Sequence, residues 1–135
     1  MTMPRVLLVD DDPTFTFAIS ALLQNQGHDV AIANRGDEAI GRARAACFDV
    51  AFLDLHLPDA DGLVLLDQMA SVDPLLPVIC LTGRDDATTV VQAMRKGALD
   101  YLIKPVDRQT LFNAVTSASQ YSTARRSGSW PARAG

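Results

Sequence analysis

Five short apolar runs punctuate the chain: Val6–Val9, Val30–Ala33, Val50–Leu53, Val78–Leu81 and Leu99–Ile103. Runs of this length without polar alternation predict strands of a sheet covered on both faces. The segments between them have helical period. Phe15, Ala18, Ile19, Leu22 and Leu23 form one stripe, stopped by Gly27. Ala39, Ile40, Ala43 and Cys47 form a second, and Leu65, Leu66, Met69 and Val72 a third. Ala87, Val90, Val91 and Met94 make a fourth, stopped by Gly97, and Leu111, Ala114, Val115 and Ala118 the last.

Strand and helix thus alternate five times, which predicts an α/β domain with a parallel sheet. The expected fold is a flavodoxin-like, three-layer (βα)5 domain whose five-stranded parallel sheet has the order 2-1-3-4-5. Ligands of such sheets bind beyond the carboxyl ends of the strands, where the order reverses. Here that point lies between the first and third strands. These are the two that run into Asp10-Asp11-Asp12 and Asp54. The domain is expected over residues 4–121. After Tyr121 the periodicity fades into a segment rich in Ser, Ala and Arg, so residues 122–135 are expected to be a disordered basic tail.

Composition narrows the possibilities. A chain of 135 residues with 48% apolar and 21% charged residues is one globular domain with a sizeable core. The net charge of -4 is unevenly spread: residues 1–107 hold all 16 acids against 8 Lys+Arg, while 108–135 hold four Arg and no acid. An acidic body argues against direct nucleic-acid binding. No apolar run is long enough to span a bilayer and no signal peptide is evident, so no membrane association and a cytoplasmic location are expected. Cys47 and Cys80 read as small buried hydrophobes rather than a disulfide framework.

Chemistry concentrates at three strand ends: Asp10-Asp11-Asp12 after the first, Asp54 at the third, and Lys104-Pro105 after the fifth. Carboxylates crowded to ~4 Å repel by roughly 4 kcal/mol per pair at an effective dielectric near 20. Such a cluster takes up protons, spreads into solvent or binds a cation. Oxygen-only ligands favour Mg²⁺, with Mn²⁺ as a possible substitute, and Mg²⁺ leaves coordination positions open for phosphoryl oxygens. Lys104 is one of only two lysines in the chain. Asp12 before Pro13 reads as a helix N-cap. Asp59 and Asp61, before Gly62, read as turn and cap residues, and Asp85-Asp86 as a cap of the fourth helix.

These residues resemble the receiver domain of bacterial two-component response regulators, in a single-domain, chemotaxis-regulator-like form. The resemblance runs from about Arg5 to Ala118. It is carried by the acidic pair after the first strand, Asp54 with Leu57-Pro58-Asp59 and Asp61-Gly62, Leu81-Thr82-Gly83, and Gly97-Ala98-Leu99-Asp100-Tyr101-Leu102-Ile103-Lys104-Pro105. It implies that Asp54 accepts a phosphoryl group from a sensor histidine kinase or a histidine phosphotransfer protein. Asp10, Asp11, Asp54 and the backbone carbonyl of His56 would hold Mg²⁺, and Thr82 and Lys104 would bind phosphoryl oxygens. Thr82 and Tyr101 would act as a switch, remodelling the face of helix four, strand five and helix five for a downstream protein target. Phe15 or Phe17 would contact the kinase, and His56 and Arg84 would flank the site mouth. The implied protein is a phospho-acceptor that assists its own phosphorylation and dephosphorylation rather than a turnover enzyme, stands alone, and is a monomer or a phosphorylation-dependent dimer.

Three other readings compete, the first a receiver fold kept only as an interaction module without phosphorylation, against which the complete set of acids and lysine speaks. Asp10-Asp11-Asp12-Pro13-Thr14 also matches the Asp-x-Asp-x-Thr signature of haloacid-dehalogenase-type phosphatases, with Asp10 as nucleophile and Asp12 as acid/base. That family needs a further acidic metal motif after its lysine, and only Asp107 follows Lys104. A nucleotide-binding domain would need a Gly-rich phosphate loop, and the sequence has none.

Overall fold

The computed structural model describes residues 3–83 and 86–128. Five strands, β1 (Arg5–Val9), β2 (Asp29–Ala33), β3 (Val50–Asp54), β4 (Val78–Thr82) and β5 (Asp100–Ile103), alternate with five helices. These are α1 (Pro13–Asn25), α2 (Gly36–Ala45), α3 (Gly62–Val72), α4 (Ala87–Arg95) and α5 (Arg108–Arg126). The strands form one parallel sheet in the order 2-1-3-4-5, as the alternation predicts.

Successive strand residues feed two separate cores, one on each face. Leu7, Val9, Ala51, Leu53, Val78 and Cys80 meet α2 and α3 on one side. Val6, Leu8, Val50, Phe52, Ile79, Leu81 and Leu102 meet α1 and α5 on the other. The central strands β1, β3 and β4 are covered on both faces, but the edges are not. β2 is half-buried, and in β5 only Leu102 is buried. Tyr101 and Ile103 are left 40% and 44% exposed.

Local chemistry sets the helix starts. Asp12 accepts the Thr14 and Phe15 amides ahead of Pro13, and Asp61 accepts the Leu63 amide. Asp107 accepts the amide and hydroxyl of Thr110. Gly27 and Gly97, at φ 92° and 104°, follow the ends of α1 and α4 in the left-handed conformation that a Cβ disfavours.

Packing departs from the sequence expectation in four places. In α1 the buried face is Thr16, Ile19, Ser20 and Leu23, while Ala18 is exposed; the Thr16 hydroxyl can enter because it donates to the Pro13 carbonyl. In α4 only Ala93 is buried, and the expected stripe turns outward, leaving Val91 and Met94 exposed beside β5. Cys47 lies past the end of α2 and is exposed, whereas Cys80 is buried and its thiol pushed up to about 12 by burial. Finally, α5 continues to Arg126, so residues 122–126 are helical rather than part of a tail. Ser122 is fully buried, and Arg126 donates to Asp73 at 2.6 Å and to the Phe48 carbonyl at 3.3 Å. Residues 129–135 of the expected tail lie outside the described residues.

Candidate functional site

Parallel pairing brings the ends of β1, β3, β4 and β5 to one edge of the sheet, and the predicted residues converge there. Asp54 is the last residue of β3 and is buried. Its Oδ1 accepts the His56 amide at 2.9 Å. Asp10 leaves β1 with its backbone held by the end of β2: its N–H donates to the Ala33 carbonyl and its C=O accepts from the Asn34 side chain, each at 3.0 Å. Its side chain is wholly buried, and Oδ1 accepts the Asp12 amide at 3.0 Å. Asp11 beside it is exposed. One carboxylate oxygen from each of Asp10, Asp11 and Asp54 lies within 4.8 Å of the others.

Lys104 arrives from the end of β5, where its amide donates to the Thr82 carbonyl at 2.9 Å and its peptide bond to Pro105 is cis. Its ammonium stands 2.5 Å from Asp10 Oδ2 and 3.6 Å from Asp54 Oδ2, and 4.5 Å from the centre of the Phe15 ring. That ion contact is the partner of Asp10 Oδ2, which has no hydrogen bond of good geometry. Burial opposes charge on Lys104, but Asp10 and Asp54 together outweigh it and raise its ammonium above the ordinary value. Burial also raises the Asp54 carboxyl, as do the charges of Asp10 and Asp11, while the His56 amide and Lys104 work against them.

The cluster is a hard-oxygen set around one lysine, with its deepest carboxylate short of donors. Such a set fits a divalent cation of the Mg²⁺ class better than a soft metal, because no sulfur or imidazole takes part.

Thr82, at the end of β4, is buried, and its hydroxyl is engaged by neighbours on its C-terminal side. It lies 3.3 Å from the Gly83 carbonyl and 3.5 Å from Asp86 Oδ2. Tyr101 projects outward from β5 and lines an apolar hollow with Val90, Met94 and Ile103. Phe17 is 77% exposed on α1. Arg84 and Asp85 lie outside the described residues.

Asp12 is the helix cap that its place before Pro13 predicts and is not part of the cluster. Two other acids play parts that their spacing does not announce. Asp59 reaches from the β3–α3 loop to the Gly36 amide, at 3.0 Å, and so anchors the start of α2. Asp86 occupies the N-cap position of α4, yet its side chain makes no capping hydrogen bond and turns to His56 Nε2. The partners of Asp59 and Asp86 are distant in sequence, so no local motif could have revealed them.

A doubly wound parallel sheet with acids and a lysine gathered at its reversal point defines an α/β domain with a candidate divalent-cation site. Comparison with known proteins makes the assignment specific. The response regulator receiver domain matches residues 6–116, and the chain belongs to that family. It is 36% identical over 117 residues to Protein PilH of Pseudomonas aeruginosa, covering 85% of this chain and 97% of that protein. It is 38% identical over 106 residues to the transcriptional regulatory protein ZraR of Escherichia coli, covering 78% of this chain but 24% of ZraR. The chain thus spans about a quarter of ZraR and nearly all of PilH. Among solved structures it superposes on a receiver domain protein (CheY-like) of Methanospirillum hungatei with a TM-score of 0.86 and 27% identity, over 91% of this chain and 98% of that one. NtrX of Brucella abortus gives 0.88 and 30%, over 94% of this chain and 30% of NtrX. Accepting a phosphoryl group is general to this family, as is a histidine kinase as partner. No described helix is long and apolar enough to cross a membrane.

Proposed function

We propose that this chain takes a phosphoryl group from a phosphohistidine, on a sensor kinase or a histidine phosphotransfer protein, onto Asp54. The observation that carries this reading is the convergence on Asp54 of two acids and a lysine from neighbouring strand ends. An Asp54 carboxylate oxygen attacks phosphorus, the phosphorus–nitrogen bond breaks, and the histidine nitrogen leaves with the bonding pair. Asp10, Asp11, Asp54 and the His56 backbone carbonyl would hold Mg²⁺, or Mn²⁺ in its place. When bound, the ion neutralises charge on the transferring phosphoryl group. Lys104 supplies a second positive charge as a compact ammonium already drawn toward Asp54. Catalysis of this kind is positioning plus electrostatics, so the protein assists its own modification without turning over substrate.

The resting geometry also supports a switch. The Thr82 hydroxyl must leave Asp86 and move inward to meet a phosphoryl oxygen. Tyr101, now exposed beside β5, would turn into the space Thr82 vacates and change the α4–β5–α5 face offered to a downstream protein. Incubation with Mg²⁺ and acetyl phosphate, read by intact-mass spectrometry, tests the acceptor. One labile phosphoryl adduct is expected on the wild type and none on Asp54→Asn or after chelation. An adduct that persists in Asp54→Asn would refute the assignment.

A further inference from the structure

Beside its two acids, Lys104 meets a neighbour that carries no charge. Its ammonium stands over the Phe15 ring, 4.5 Å from the centre, with Asp10 Oδ2 at 2.5 Å and Asp54 Oδ2 at 3.6 Å. The negative face of an aromatic ring attracts a cation at this distance. The backbone under the ring is fixed. Pro13 and the Asp12 carboxylate, which accepts the Thr14 and Phe15 amides at 3.0 and 3.3 Å, set the first turn of α1. The Phe15 side chain is half-buried and packs on the core that α1 and α5 share with the sheet. The Lys104 side chain is 27% exposed, on a flexible stem whose ammonium water would otherwise draw outward. The third aspartate of the acidic run thus sets, through one helical turn, the ring against which the site lysine rests.

We propose that Phe15 is a positioning residue whose ring holds the Lys104 ammonium at the pocket while its acidic partners change. The inference rests on the acceptor reading above and adds a residue that reading does not use. In the resting site the ammonium is bound chiefly by charge. Both acids have other work during transfer: Asp10 belongs to the candidate cation set, and Asp54 becomes an acyl phosphate through the oxygen that attacks phosphorus. Lys104 must then give up a carboxylate oxygen and take a phosphoryl oxygen. A carboxylate in place of the ring would compete for the ammonium, and an aliphatic side chain would not attract it. A neutral ring avoids both faults, because its quadrupole draws the cation without cancelling its charge. The lysine therefore keeps few rotamers and its full charge throughout the exchange.

Two measurements on the full chain test the role. Acetyl phosphate with Mg²⁺ supplies the phosphoryl group without a kinase, so docking on α1 plays no part, and intact-mass spectrometry reads the initial rate. Phe15→Leu keeps an apolar side chain and is expected to slow the reaction by roughly two- to tenfold. Phenylalanines carrying one, two and three ring fluorines at position 15 change the shape little and weaken the negative face in steps. The logarithm of the rate should fall with each fluorine. An unchanged rate in Phe15→Leu overturns the proposal. So does a fluorinated series that reacts like the wild type, because packing would then be the ring's whole role. The second measurement needs no phosphorylation. The chain has two lysines, Lys96 and Lys104, so ¹³C-lysine labelling gives two ε-methylene signals, assigned with Lys96→Arg. Ring current should displace the Lys104 signal upfield, and Phe15→Leu should return it to its ordinary position. A Lys104 signal that is not displaced also overturns the proposal. If the displacement is present but the wild type forms no adduct, the acceptor reading fails and the proposed role with it.

Discussion

At the scale of single residues, the site is held in an unfavourable charge state until something neutralises it. Burial and the neighbouring acids raise the Asp54 carboxyl. The folded protein therefore binds more protons than the unfolded chain between the unfolded value, about 4, and the raised folded value. Stability contributed at this position is lost as pH rises through that window, and the penalty is fully present above it. Asp54→Asn removes the charge, so it should raise the melting temperature by a few degrees at pH 7 without divalent ions, and hardly at all near pH 3. A gain of equal size at both pH values would show that the charge is not the cause. Lys104 is the counterpart. Its ammonium is the contact of the buried Asp10 Oδ2, and removing one partner of such a pair strands the other. With Lys104 partly in solvent, Lys104→Met should cost about 2 kcal/mol in chemical denaturation, at the low side of what burial alone would give. Adding Asp10→Asn should recover most of it, and additive losses would contradict the pairing.

At the scale of elements, glycines separate close packing from open surface. Gly62 opens α3 directly against Leu55, where an added Cβ would sit 2.5 Å from the Leu55 carbonyl oxygen. Because backbone meets backbone, Gly62→Ala must displace α3 or the strand end that carries Asp54. It should lower stability by about 2 kcal/mol and slow phosphorylation. Gly41, inside α2, has open space where its Cβ would be, so Gly41→Ala should stabilise by about 0.5–1 kcal/mol through helix propensity. Thermal unfolding of the pair checks both signs. The same scale shows why helix patterns were only partly readable. A stripe of Leu111, Ala114, Val115 and Ala118 has one place to go, under the sheet. The α4 stripe does not, because β5 is short and at the edge, so Val91 and Met94 remain outside. The end of α5 could not be read from apolar period at all. It is fixed by Ser122 in the core and by Arg126 reaching Asp73, 53 residues away in sequence.

At the scale of the whole molecule, the acid cluster couples ion binding to folding. Its oxygens are assembled from β1 and β3 only when the sheet forms. A cation that binds the folded state alone then stabilises it by mass action, by about 2.7 kcal/mol at a hundredfold excess over the dissociation constant. The melting temperature should climb with the logarithm of Mg²⁺ concentration. Asp11→Asn, at an exposed position that the fold does not need, should flatten that climb. An unchanged slope would remove Asp11 from the ligand set.

The sequence by itself determined the five strands, their alternation with helices and hence the parallel sheet, because unbroken apolar runs and helical period have few other solutions. It also picked out Asp10, Asp11, Asp54 and Lys104, since each stands at a strand end where such sheets gather their chemistry, while Thr82 was legible only through the family resemblance. The tertiary structure alone decided how deeply each acid is buried and which distant groups it meets. Asp10 and Asp12 are two residues apart, yet one is wholly buried against Lys104 and the other exposed as a helix cap. Asp59 and Asp86 bond to partners 23 and 30 residues away, Gly36 and His56. Carboxylates are chemically alike in sequence; burial and the donors that folding brings within reach make them different.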